Sequence, residues 1–298
     1  VVHNSSSVTG EMVVKSMTLG APMGLTSTPA GELVVGGNLT LQTNAGDITQ
    51  TLGGGAVKVG SPSGAAVGTQ VATLNTQGNN SITLNNVLND FQNVAITAGT
   101  GGAGNVIISD ANIIRLNAST IGGNLQVNAV GDTRNLNDFL DIQDVAIATN
   151  GTVSVMGNAA FNTTNVGGAN ITSRVNIAHN STVGGILSGS IGNNGSFTFN
   201  GTGNVTTGTI NAANIAAGAS RSAITINTTG NLTVNGPMTV LGNNATVGAN
   251  ITLTGATINH VAGVLKAGNN SRGGGITMNA TAGNLTVGNL DSYNRIAL

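Results

Sequence analysis

The stretch Ile224-Thr-Ile-Asn-Thr-Thr-Gly-Asn-Leu-Thr-Val234 alternates apolar and polar positions on either side of a Gly-Asn break. Side chains along a strand point alternately to its two faces. Ile224, Ile226, Leu232 and Val234 therefore point to one side, and Thr225 and Thr233 to the other. The unit occurs upstream as Phe197-Thr-Phe-Asn-Gly-Thr-Gly-Asn-Val-Thr206 and downstream as Ile276-Thr-Met-Asn-Ala-Thr-Ala-Gly-Asn-Leu-Thr-Val287, with Ile251-Thr-Leu253 between them. One such unit cannot cover its own apolar side, so copies must stack. The pattern predicts an all-β fold, a single-stranded parallel β-helix.

Alternating triplets begin at Leu39, Val57, Ile82, Val106, Leu125, Val145, Ile171, Phe197, Ile224, Ile251 and Ile276, at spacings from 18 to 27 residues. Such variation rules out a rigid short repeat and suits coils that keep their strands while the corners change length. If each triplet opens a coil there are about eleven, and at about 4.8 Å per rung the rod is on the order of 55 Å long. The continuous β-helix is expected over 31–298. Residues 1–30, with Pro22 and Pro29, are expected to form an irregular or edge segment. The stretch from Gly53 to Gly68 reads as a strand with a protruding loop. Ala212-Ala-Asn-Ile-Ala-Ala217 is the best local helix signal, but it is short and glycine-flanked, and it reads as strand or corner.

In-register stacking makes further expectations specific. Ile171, Phe197, Ile224, Ile251 and Ile276 should form one apolar column, each side chain contributing roughly 1.5–3 kcal/mol of burial. Thr172, Thr198, Thr225, Thr252 and Thr277 should form an outward rank, with Asn200 and Asn227 starting an amide ladder. Three such faces are expected. The Gly-Asn, Asn-Gly and Gly-Gly corners are expected to use positive φ.

Composition narrows the functional classes. Hydrophobic residues make up 39%, so disorder is not expected, while aromatics make up only 2%. Charged residues are 6% and the formal net charge is −1. No basic stripe exists, and no nucleic-acid partner is expected. No apolar run approaches the roughly 18–20 residues that span a bilayer, and no membrane insertion is expected. The beginning of the chain has no charged segment followed by an apolar one, so any export signal is expected to be removed or to lie outside it. The 298 residues include no cysteine, which excludes disulfides and thiolate metal sites.

Asp90, Asp110 and Asp132 lie close to one coil apart, with Arg115 and Arg134 nearby. A β-helix polysaccharide lyase or hydrolase would need carboxylates so clustered, often with Ca²⁺. Asp110 and Asp132 fall in corner sequences where Asp caps its own turn, and each is expected to do so here. Asp138, Asp141 and Asp144 lack the spacing of a calcium loop and read as a solvated corner. His3, His179 and His260 lack metal-ligand spacing and read as surface histidines. Gly273-Gly-Gly275 has no following lysine, and no serine sits in a nucleophile elbow. No catalytic, cofactor-binding or metal-ligating residue is assigned, and no cofactor is expected. Asn-x-Ser/Thr triplets, as at Asn162, Asn180, Asn200, Asn231, Asn250 and Asn284, arise from repeat chemistry, with glycosylation as the alternative.

Gly36-Gly-Asn-Leu-Thr-Leu-Gln-Thr-Asn-Ala-Gly-Asp-Ile-Thr-Gln50 and Gly122-Gly-Asn-Leu-Gln-Val-Asn-Ala-Val-Gly-Asp132 resemble the repeats of filamentous-haemagglutinin-like proteins. So do Asn89-Asp-Phe91 with Val94-Ala-Ile96, Ser109-Asp-Ala-Asn112, and Asn137-Asp-Phe139 with Val145-Ala-Ile147. The resemblance is closest over 33–150. It implies a right-handed β-helix of a Gram-negative cell surface, exported by two-partner secretion or as an autotransporter passenger. It also implies an adhesin or fibre subunit, with end-to-end self-association or a cell-surface glycan or protein as partner. Two alternatives stay open: a carbohydrate-active β-helix enzyme, and an ice-binding solenoid presenting its threonine rank. Ice binders usually show paired Thr-x-Thr ranks, and these are not evident in the sequence.

Overall fold

The computed structural model describes residues 33–50, 55–60, 69–130, 145–164, 173–192, 195–212, 222–241, 249–269, 272–292 and 295–298, with the backbone of four short strands before residue 28. The described residues form strands and corners with no helix, and the fold is a parallel β-solenoid. The strands pair in parallel; the one antiparallel contact among the described residues joins Val264–Asn269 to Arg272–Gly273.

Two large sheets run the length of the molecule. The first follows a path of twelve strands from Met12–Ser16 through Leu39–Thr43 and Ala223–Thr228 to Arg295–Ala297. The second follows twelve strands from Val2–His3 through Ile48–Gln50 and Leu232–Val234 to Leu285–Thr286. A third sheet holds only Ser6–Val8, Leu33–Val35, Val57–Val59 and Asp90–Phe91. The strands before residue 28 therefore stand at the edges of all three sheets. Among the described residues, the expected third face is present only in the first part of the chain. Beyond Phe91, long strands that bend and split between two partners take over, as Val205–Ala212 does with Leu232–Val234 and Met238–Val240.

Stacking is in register where the sequence repeat is clearest. Phe197 pairs with Ile224, Ile224 with Ile251, and Ile251 with Ile276. All four are fully buried. Phe199, Ile226, Leu253 and Met278 form a second inner column beside them. The next residue below Phe197 is Val175, not Ile171, because the strand there is Ser173–Val183. Ile171 and Thr172 themselves lie outside the described residues.

The triplets do not all open a coil on one face. Leu39 lies in the first sheet, Val57 in the third, and Ile82, Val106 and Leu125 in the second. Every face carries the same apolar alternation, so the triplet identifies a strand without identifying its sheet. Ala212 closes the strand Val205–Ala212, and the rest of the weak helix signal lies outside the described residues.

The corners explain the Gly-Asn pairs. The Asn105 Oδ1 accepts the N–H of Asn124, the Asn124 Oδ1 that of Asn158, and the Asn158 Oδ1 that of Ile186, each at 2.8 Å. Asp47 and Ser81 begin the same series, through the N–H groups of Ser81 and Asn105. Each side chain thus satisfies a backbone donor on the following rung. The preceding glycine is needed for room. A Cβ on Gly123 would lie 2.6 Å from the Ala103 carbonyl oxygen, and one on Gly185 2.3 Å from the Asn158 Oδ1. The expected positive φ is found at Gly46 and Gly203, whereas Gly123, Gly157 and Gly185 do not use it. Close approach, more than turn conformation, selects glycine at these corners.

Candidate functional site

Asp110, the most interesting carboxylate in the sequence, is fully buried at the corner 109–112. Its Oδ2 accepts the N–H of Phe91 at 2.6 Å, and its Oδ1 accepts the N–H of Asn112 at 2.8 Å. The second bond is the turn cap expected from the sequence. The first explains the end of the third sheet. Phe91 is in the last strand of that sheet, and its N–H is taken by this side chain in place of a further strand's carbonyl, while the Asn89 carbonyl accepts the N–H of Ala111 at 2.7 Å. Asp110 therefore terminates the sheet.

Burial pushes the Asp110 carboxyl up from 3.8 to about 8, the neighbouring Asp90 charge pushes the same way, and the two N–H bonds oppose them. Burial dominates. Asp90 is half-buried and pairs in register with Lys58, and Arg115 in register with Asn93. Burial lowers Arg115 from its ordinary value. The carboxylate spacing thus brings Asp90 and Asp110 together electrostatically, but Asp110 is sealed from solvent with both oxygens used. Asp132, Arg134, Asp138, Asp141 and Asp144 lie outside the described residues. Below Asp110, Gln50 and Asn89 form a buried reciprocal amide pair at 2.9 and 3.0 Å, and Asn89 also accepts the N–H of Val57. Among the described residues, no group of three or more His, Cys, Asp or Glu is placed to hold a metal ion.

The histidines divide. His179 is exposed, and its Nδ1 lies 3.1 Å from the Thr149 hydroxyl. His260 is 3% exposed and occupies the inner position above Val234, so the surface reading fails there. Its Nδ1 accepts the N–H of Gly288 at 3.1 Å, leaving Nε2 to donate to the Gly263 carbonyl at 3.2 Å. Both ring nitrogens are satisfied by backbone, which is why a histidine fits in an apolar column. The side chain of His3 lies outside the described residues.

The outer face of the first sheet is the most regular surface feature. Thr198, Thr225, Thr252 and Thr277 stand one above another, as predicted, with Asn176 in place of Thr172 below them. Beside them a second outward column runs Asn200, Asn227, Thr254 and Asn279. Within it the Asn227 Nδ2 donates to the Asn200 Oδ1 at 3.0 Å, the amide ladder expected from the sequence. A third column is Ser196, Ala223, Asn250 and Gly275. The result is a four-by-three grid of small uncharged residues. No register shift interrupts it, whereas the ladder below shifts between Ile177 and Ser181. Thr252-x-Thr254 is a paired Thr-x-Thr, and the other rungs are Thr-x-Asn.

A further hydroxyl rank escaped sequence reading. Thr97, Thr120, Ser154 and Thr182 pair in sequence along the same sheet, and the Thr182 hydroxyl donates to that of Ser154 at 3.0 Å. Its members sit in differently spelled motifs, so only the strand pairing reveals it. No family model, curated protein sequence or solved structure matches this chain.

Proposed function

We propose that this chain is a secreted structural or adhesive surface protein, a β-helical rod acting as an adhesin or as the subunit of an extracellular fibre at a bacterial cell surface. The observation that carries this reading is the pair of parallel ladders running through twelve strands each. Among the described residues, one continuous apolar core serves that stacking, and the carboxylate best spaced for chemistry is enclosed as a sheet terminator. The resemblance of the Gly-Gly-Asn repeats to filamentous-haemagglutinin-like proteins supports the same reading, with exposed corners as the surfaces that meet a glycan or a protein. The burial of Asp110 weighs against a polysaccharide lyase or hydrolase, which needs its carboxylates open to substrate.

Negative-stain imaging of the purified chain, combined with solid-phase binding to cell-surface glycans and matrix proteins, tests the proposal. Slender rods or fibres with saturable binding to one class of surface are expected. Globular particles, or turnover of a glycan with or without Ca²⁺, would overturn it.

A further inference from the structure

We propose that the outer grid of the first sheet over residues 196–279 binds the surface of ice, a function separate from the adhesive reading. A crystal cannot adapt to its binder, so the protein face must be rigid, flat and periodic in two directions. The grid is periodic in both directions, and its pairing is uninterrupted over four rungs. Rungs repeat at about 4.8 Å along the axis, and residues two apart in a strand repeat at about 6.7 Å across it. These intervals are of the size at which oxygen atoms recur on the planes of hexagonal ice. The strands pair without a bulge over four rungs, and the bulky Phe197, Ile224, Ile251 and Ile276 lock them from beneath. The hydrogen bond from the Asn227 side-chain amide to that of Asn200 stiffens the second column from outside.

The chemistry fits the same ligand. Threonine offers a hydroxyl that joins a water lattice and a methyl that orders water around itself, and its branched Cβ restricts rotamers. None of the twelve grid residues is charged. An uncharged grid complements a neutral lattice and gives a polyanion nothing to hold. Sugar rings are usually gripped by aromatic faces. Phe91, Phe161, Phe197 and Phe199 are all buried.

The test measures thermal hysteresis and ice-crystal habit for the full chain, with sedimentation velocity in parallel. Expected is a freezing gap above that of buffer, with faceted crystals. Thr225→Lys and Thr252→Lys should each reduce the gap to buffer level while far-UV circular dichroism stays unchanged. Thr233→Lys, outward on the second sheet, should retain it. A wild-type gap no larger than that of buffer would overturn the proposal, as would equal loss in Thr233→Lys. So would wild-type pairs that Thr225→Lys disperses in the absence of any gap, since the face would then be covered by a second copy. Should the lysine variants misfold, Thr225→Ser keeps the hydroxyl and removes the methyl, and a gap unchanged in that variant would also count against ice.

Discussion

At the scale of single residues, the solenoid is most sensitive where one rung touches the next. A Cβ on Gly122 would lie 2.2 Å from the carbonyl oxygens of both Gly99 and Gly102, which are backbone atoms of the rung beneath. Gly122→Ala is therefore expected to cost about 1–3 kcal/mol, read from the urea unfolding midpoint. Thr207 gives the opposite sign. It sits in the apolar column between Leu187 and Val234, fully buried, and its hydroxyl has no hydrogen-bond partner. Thr207→Val keeps the shape and removes the unpaired group, so a gain of about 1–2 kcal/mol is expected. A loss in the same measurement would show that the hydroxyl is bonded after all. Some of this was legible beforehand. Ile224, Ile251 and Ile276 announce their register because each opens the same Ile-Thr-apolar triplet. The need for glycine at 122 was not, because it depends on which backbone lies beneath. Nor was the burial of His260, since a histidine satisfied by two backbone groups looks in sequence like any other.

At the scale of elements, the third sheet is the part that the sequence could not place. Val57-Lys-Val59 has the same alternation as Leu39-Thr-Leu41, and nothing local says that its ladder stops at the next strand, Asp90–Phe91. The stop depends on Asp110 reaching the N–H of Phe91, a contact across 19 positions. This contact has a pH signature. A carboxyl raised from 3.8 to about 8 on folding holds its proton more tightly in the folded state. Its share of stability is complete below about pH 4, falls as pH rises towards 8, and changes no further above that. The charged group acting on it among the described residues is Asp90, whose charge strengthens the trend. Urea midpoints at pH 5 and pH 8.5 should show lower stability at the higher pH. Asp110→Asn should abolish that part of the slope. An unchanged slope in the variant would mean that another group is responsible.

At the scale of the whole molecule, electrostatics contribute little. The chain carries 9 Lys and Arg against 10 Asp and Glu. The ion pair Lys266–Asp291, at 3.3 Å, is exposed to 38% and 42%. Such a pair contributes roughly 0–1 kcal/mol and is screened by salt. Raising NaCl to roughly 1 M should therefore shift the unfolding free energy by less than about 1 kcal/mol. A larger loss would point to charge pairs beyond this one. Near-neutrality also leaves little repulsion between molecules. Light scattering is accordingly expected to peak near the sequence isoelectric point of 6.3.

The Gly-Asn gates have a consequence for how such a chain changes over time. They fix the same corner on successive rungs although those corners sit anywhere from 19 to 34 residues apart. Segments of differing length are thus carried at the other bends without disturbing the spine. New surface loops can be acquired or lost one coil at a time, and a foreign peptide spliced at such a bend should be displayed with the ladder intact.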